Sequence, residues 1–206
     1  MTLTDSDTDT APRPAFDRAA STSAPILATL AERWSPRSFD AAKPIDETVL
    51  TAALEAARWA PSAANSQPAR FIVARRGTPE FDTVASSLLG FNSVWAGSAA
   101  VLIVAVAEVV DAEGKPRRWA EYDLGQAMAH LSVQAHHDGL HVHQMGGFHV
   151  AALTEAFSLP AALVPLTITA LGHLAPADAL PDDALRARET APRTRLPLAA
   201  LLLTNV

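Results

Sequence analysis

The sequence predicts a single globular domain in which helices are interleaved with buried strands. Apolar residues recur at helical spacing in several segments, among them Leu50, Ala53, Leu54 and Ala57, and Leu124, Ala127, Met128, Leu131 and Ala135. Short apolar runs at residues 71–73, 101–106 and 163–171 read as strands buried between layers. At 206 residues the chain fits one domain with a core that needs no covalent staple.

Composition narrows the function classes. Cysteine is absent, which excludes disulfides, thiolate catalysis and cysteine–metal centres. A formal net charge of −6 argues against broad nucleic-acid binding. The longest apolar run, residues 99–107, is about half of what crosses a bilayer. The N-terminus carries Asp5, Asp7 and Asp9 rather than a basic and then an apolar region, so a secretory signal is not expected and the cytoplasm is the expected location.

In chain order, residues 1–20 offer little to bury and read as a disordered tail, leaving residues 21–206 as the domain. Pro25 suits a first helical turn, and Ile26, Leu27, Leu30, Ala31 and Trp34 form one stripe that should end before Pro36. There lies R-W-S-P-R-S-F, residues 33–39, where two arginines and a hydroxyl either hold an anion or form a solvated basic turn. Asp46 caps the next helix, with Ile45 and Leu50 as its staple. That helix leads into A-P-S-A-A-N-S-Q-P, where Pro61 stops it. Ser62, Asn65, Ser66 and Gln67 there make either a surface turn or a site.

A short helix is expected over residues 80–89, and Asn92 reads as a turn residue before the 101–106 strand. Gly114, Lys115 and Pro116 mark a loop. The helix beginning near Ala120 should end at Gly139 in the C′ position. Residues 140–142 form a short strand candidate, and Gly146 with Gly147 would let the backbone approach a flat ligand. His141 and His143 share a strand face, but no acidic ligand completes a metal set. After a helix around Val150, Leu153 and Phe157, residues 175–192 read as a polar linker. R-T-R-L-P and an apolar tail that requires burial close the chain.

Five blocks together resemble the FMN-dependent nitroreductase family: R-W-S-P-R-S-F, A-P-S-A-A-N-S-Q-P, Asn92 before its strand, G-L-H-V-H-Q-M-G-G-F, and R-T-R-L-P. The resemblance implies an α+β fold with a mixed, mostly antiparallel sheet flanked by helices. It also implies an intertwined homodimer whose C-terminal tail joins the partner's sheet. Arg33 and Ser35, with Trp34 beside them, would hold the FMN phosphate together with Arg193 and Arg195. Arg37 and Asn92 would lie at the pyrimidine edge, and the N–H groups of Gly146 and Gly147 would face N5 and O4. Pro61, Ser62, Ala63 and Asn65 would line the flavin from the partner subunit.

The implied activity is ping-pong transfer of hydride from NADH or NADPH to flavin N5, and then to a nitroaromatic, quinone or similar small acceptor. Because the cofactor carries the chemistry, no catalytic side chain is required. The same resemblance accommodates a non-catalytic flavin-binding or storage protein. Three positions depart from the family: Gly146 stands where several members have Glu, Trp95 where they have Lys, and Ala69 where an aromatic often follows Q-P. Ala69 and Trp95 are therefore expected to shape the acceptor site.

Overall fold

Four strands, β1 (Ala69–Arg75), β2 (Val101–Glu108), β3 (His141–Met145) and β4 (Leu163–Gly172), form one sheet in the order β1-β2-β4-β3. Every pairing is antiparallel. The computed structural model describes residues 18–204, so the N-terminal tail expected over residues 1–20 lies outside them as far as residue 17. The helices are α1 (Ala28–Glu32), α2 (Glu47–Arg58), α3 (Pro79–Ser86), α4 (Asn92–Trp95), α5 (Ala120–His137), α6 (Val150–Ala156) and α7 (Asp183–Thr190). Among the described residues, no helix is long and apolar enough to cross a membrane.

Strand β2 is apolar on both faces because both are covered, which is what its unbroken aliphatic run encodes. Leu102, Val104 and Val106 share a cluster with Phe81 and Val84 of α3, Leu153 of α6 and Leu185 of α7. Val101, Ile103, Ala105 and Ala107 pack instead with Leu50, Ala53 and Ala57 of α2 and Leu124, Met128 and Leu131 of α5. The β2–β4 register slips between Ala105 and Val106, beside Pro165, a residue with no N–H to give the ladder.

Local signals explain most boundaries. The Asp46 carboxylate accepts from Thr48 N at 2.7 Å at the start of α2, and Ile45 and Leu50 lie in one cluster. Thr78 caps α3, whose first turn holds Pro79. Gly139 follows α5 with φ +79°, the left-handed C′ position.

Four expectations change. The helix read up to Pro36 is only α1, and Arg33 is already extended, three residues before the proline. Asn92 opens a helical turn rather than a loop. The linker read over residues 175–192 contains α7, capped by Asp182, which accepts from Leu185 N at 3.0 Å. Finally, among the described residues the sheet is not mixed but wholly antiparallel. Within the single chain Ile26, Leu27 and Leu30 near the N-terminus and Leu196, Leu198, Leu201, Leu202 and Leu203 near the C-terminus are exposed, and burial of the apolar tail is not met among the described residues.

Candidate functional site

The segment from Arg33 to Phe39 is tied at its far end, Ser38 to Asp40, to the chain just beyond β4. Phe39 bridges to Leu174, Asp40 N donates to His173 O at 2.9 Å, and Ala175 N donates to Ser38 O at 3.1 Å. A Cβ on Gly172 would sit 3.0 Å from the Phe39 ring, so the close approach depends on glycine there. Helix α7 clamps the segment from the other side. Its Glu189 carboxylate accepts from Arg37 N at 2.9 Å and from Ser38 N at 3.2 Å.

Arginines far apart in sequence meet beside this segment. Arg193 Nη1 donates to Ala31 O at 2.7 Å and to Arg18 O at 2.6 Å, bringing R-T-R against the end of α1. The Arg18 guanidinium lies 3.9 Å from the centre of the half-buried Trp34 ring and donates to Ala191 O. Burial lowers the pKa of Arg33, and so does the nearby Arg195. Burial also lowers that of Arg193, followed by Arg33, Arg195 and Arg18. Cations that destabilise one another in this way form a ready site for an anion, and Ser35 is exposed at its edge.

A second convergence adjoins it. Asn92 Nδ2 lies 3.5 Å from Gly147 O, and Leu89 N donates to the same oxygen at 3.0 Å. A Cβ on Gly147 would come within 3.2 Å of Asn92 Nδ2, whereas one on Gly146 would meet open space. Gly147 is therefore small to admit Asn92. His143 Nδ1 donates to Pro36 O at 2.8 Å, which fixes the tautomer. Burial holds its pKa down at about 4.

Trp95 corrects an expectation. It is 3% exposed, packed against the Phe39 ring at 6.1 Å and the His143 ring at 4.6 Å. The indole props the Arg33–Phe39 segment from below and does not shape an acceptor site, because α4 turns it into the core.

Pro61, Ser62, Ala63 and Asn65 lie elsewhere in the chain. They form a strained turn, with Ala64 at φ 51°, Asn65 at φ 56° and Gln67 at φ 48°. Asp123 of α5 accepts from Ala63 N at 3.0 Å, and Ser62 Oγ accepts from Gln67 N at 3.0 Å. Two grooves, of about 420 and 390 Å³, meet at Pro61, Ser62 and Asp123; Ala69 lines the first, and Trp119 and Tyr122 line the second. Neither groove includes Arg33, Arg37, Asn92, Gly146 or Gly147. Within one chain Arg33 meets Arg193 and Arg195, and Asn92 meets Gly147, while the Pro61–Asn65 turn borders two grooves that include none of them.

The sequence reading missed two carboxylates, Asp123 and Glu189. Asp123 had a signal, since it falls on the apolar face of α5, three residues after the buried Ala120. Glu189 lay in the segment read as linker. His141 sits 5.1 Å from the His136 ring, and among the described residues no cluster of three or more His, Cys, Asp or Glu is arranged to hold a metal.

A model of the nitroreductase family matches residues 30–80 and 77–173. A crystal structure of an oxidoreductase containing FMN superposes with TM-score 0.84 at 34% identity, covering 89% of this chain and 93% of that one. An FMN complex from Desulfovibrio desulfuricans gives TM-score 0.72 at 27% identity, covering 90% and 99%. An uncharacterized 15.4 kDa protein of Mycolicibacterium smegmatis is 36% identical over 146 residues, 66% of this chain and 95% of its own length.

Proposed function

The chain belongs to the nitroreductase family, and on that premise we propose that it is an FMN-dependent NAD(P)H oxidoreductase acting as a homodimer in the cytoplasm. The observation that carries the reading is the meeting of Arg33 with Arg193 and Arg195 across the length of the chain. These guanidiniums raise one another's free energy, and a phosphate of nearly two negative charges would reverse that cost. The exposed Ser35 and the half-buried Trp34 border the same place. The residues present therefore fit the 5′-phosphate of FMN.

When bound, FMN supplies the redox chemistry, accepting hydride from NADH or NADPH at N5 and passing it in ping-pong fashion to a small nitroaromatic, quinone or similar acceptor. The chain's own residues bind and orient. Arg37 and Asn92 would face the pyrimidine edge, where positive charge and an amide donor would favour the reduced form. The N–H groups of Gly146 and Gly147 would face the N5 and O4 side. Pro61, Ser62, Ala63 and Asn65 close the pocket from the partner subunit; their distance from the arginine group within one chain and the exposed leucines at both ends support this arrangement.

The test is direct. Purified protein should carry or take up FMN, and NADH or NADPH should bleach it under anaerobic conditions, with colour returning on addition of an acceptor. Protein that stays colourless after FMN is added would overturn the proposal. FMN binding without bleaching by either nicotinamide would mark a flavin-binding protein that is not a reductase.

A further inference from the structure

Glu189 is 4% exposed and sits on α7, about 150 residues from the segment it holds. Its two oxygens lie 3.0 and 2.9 Å from Arg37 N, one of them 3.2 Å from Ser38 N, and the Arg37 guanidinium approaches to 3.9 Å. Arg18 stands near enough to favour the ionised form, and Arg188 is near enough to disfavour the Arg37 charge. A neutral amide would serve to anchor two N–H groups. A buried carboxylate costs more than an amide unless its charge is used. What the charge meets most closely here is the side chain of Arg37, with Arg18 adding to it.

We propose that Glu189 is a positioning residue that aims the Arg37 guanidinium and offsets part of its charge, and so sets the reduction potential of the bound flavin. This rests on the reading of Arg37 as the cation at the pyrimidine end. Reduction by NAD(P)H moves two electrons and one proton as a hydride, so the ring gains one negative charge while the nicotinamide becomes NAD(P)⁺. A cation at the end where that charge collects stabilises the reduced form, and a carboxylate paired with the cation weakens the effect. Burial pushes the Glu189 carboxyl up, while the two N–H donors, Arg37 and Arg18 draw it back toward the carboxylate.

Glu189→Gln keeps an oxygen acceptor for Arg37 N and Ser38 N and removes the charge. Midpoint potentials of the FMN-loaded protein should be compared at pH 8 for the native chain, Glu189→Gln, Glu189→Asp and Arg37→Gln, with oxidised-FMN affinity measured alongside. Glu189→Gln should favour the reduced flavin about tenfold more, a rise of about 30 mV for two electrons. Arg37→Gln should move the potential down, Glu189→Asp should stay near the native value, and FMN affinity in Glu189→Gln should change less than about twofold, since the phosphate cluster is untouched.

A shift in Arg37→Gln with none in Glu189→Gln overturns this inference and leaves the role of Arg37 standing. No shift in either removes Arg37 from the flavin and the inference with it. An equal shift in Glu189→Asp and Glu189→Gln assigns the effect to structure rather than charge and also overturns it. Should Glu189→Gln not fold, because Arg37 is left unpaired, the double variant leaves no buried charge alone. That double variant, Arg37→Gln with Glu189→Gln, should match the potential of Arg37→Gln alone, because Glu189 acts through Arg37, and a potential shifted away from it overturns the inference.

Discussion

Arg193 donates to the carbonyl oxygen of Ala31 at 2.7 Å, joining residues 162 positions apart at the end of α1. That bond, and a second one to Arg18 O, make Arg193 a structural strut as well as a cation. Arg195 has a lighter structural task among the described residues, its Nη1 donating to its neighbour Thr194 O. The two arginines of R-T-R should therefore separate under mutation. Arg195→Ala should weaken FMN binding by about 1.5–3 kcal/mol, the range for a charge-assisted bond, with little change in melting temperature. Arg193→Ala should weaken FMN binding and lower the melting temperature as well. Calorimetric titration with FMN and thermal unfolding of the apoprotein check both, and unchanged FMN affinity in Arg195→Ala would remove it from the phosphate site.

Trp95→Lys would recreate the residue common at that position in relatives, and the structure says it should not restore a cation to the flavin. The indole packs between Phe39 and His143 at 3% exposure. The substitution should cost about 3–5 kcal/mol of stability, the range for emptying a buried aromatic site. Urea unfolding measures this. A stable Trp95→Lys protein with tighter binding of reduced FMN would show that the lysine reaches the ring.

Legibility in the sequence followed how locally each feature is determined. β2 announced itself because burial on both faces writes a continuous aliphatic run, and Asp46 and Gly139 marked helix ends by capping chemistry that needs no tertiary context. The family was legible because the arginine, asparagine and glycine blocks carried its pattern of residue type and order. Helix α7 was not legible: within it only Leu185 and Glu189 are buried, too few to write a helical period among alanines and charges. Missing α7 hid Glu189, and the burial of Trp95 depends on which way a one-turn helix faces.

Asp123→Ala should loosen the turn that Pro61, Ser62 and Ala63 belong to. The carboxylate accepts from Ala63 N at 3.0 Å, beside two consecutive residues with positive φ. Such backbone persists only where its surroundings over-determine it. A loss of about 1–3 kcal/mol is expected from the unsatisfied N–H, with faster proteolytic cleavage between residues 62 and 67. Asp123→Asn, which keeps an acceptor oxygen, should recover most of the protection. Identical cleavage rates in Asp123→Ala and the native chain would show that the turn holds itself.

Two buried imidazoles predict an acid-side loss of stability. Burial pushes His141 down to about 3, with His136 and His173 adding to the effect, and His143 down to about 4. Both folded values lie below the unfolded 6.5, so the unfolded chain takes up protons first and stability falls as pH drops from 6.5 toward 4. At pH 5 each should cost about 2 kcal/mol relative to neutral pH. Glu189 acts with the opposite sign, since its raised pKa means that the folded chain binds its proton more readily than the unfolded one above pH 4.5. Urea midpoints between pH 4.5 and 7 should show the histidine slope dominating, and His141→Asn should flatten it by about half. A midpoint independent of pH over that window would place both rings in contact with water.

The exposed leucines carry the last prediction. Leu196, Leu198, Leu201, Leu202 and Leu203 face solvent in the single chain, as do Ile26, Leu27 and Leu30, although burying one leucine is worth about 1.5–3 kcal/mol. An apolar tail left outside its own core is the pattern of a segment that docks on a second copy, and β1 and β3 present the open edges of the sheet. The native chain should run as a dimer in light scattering. Leu201→Asp combined with Leu203→Asp should shift it toward monomer. If Pro61, Ser62, Ala63 and Asn65 complete the flavin pocket across that interface, FMN should be lost in proportion to the monomer formed, even though Arg33, Arg193 and Arg195 are intact. Monomer that retains native FMN affinity would place the whole pocket within one chain.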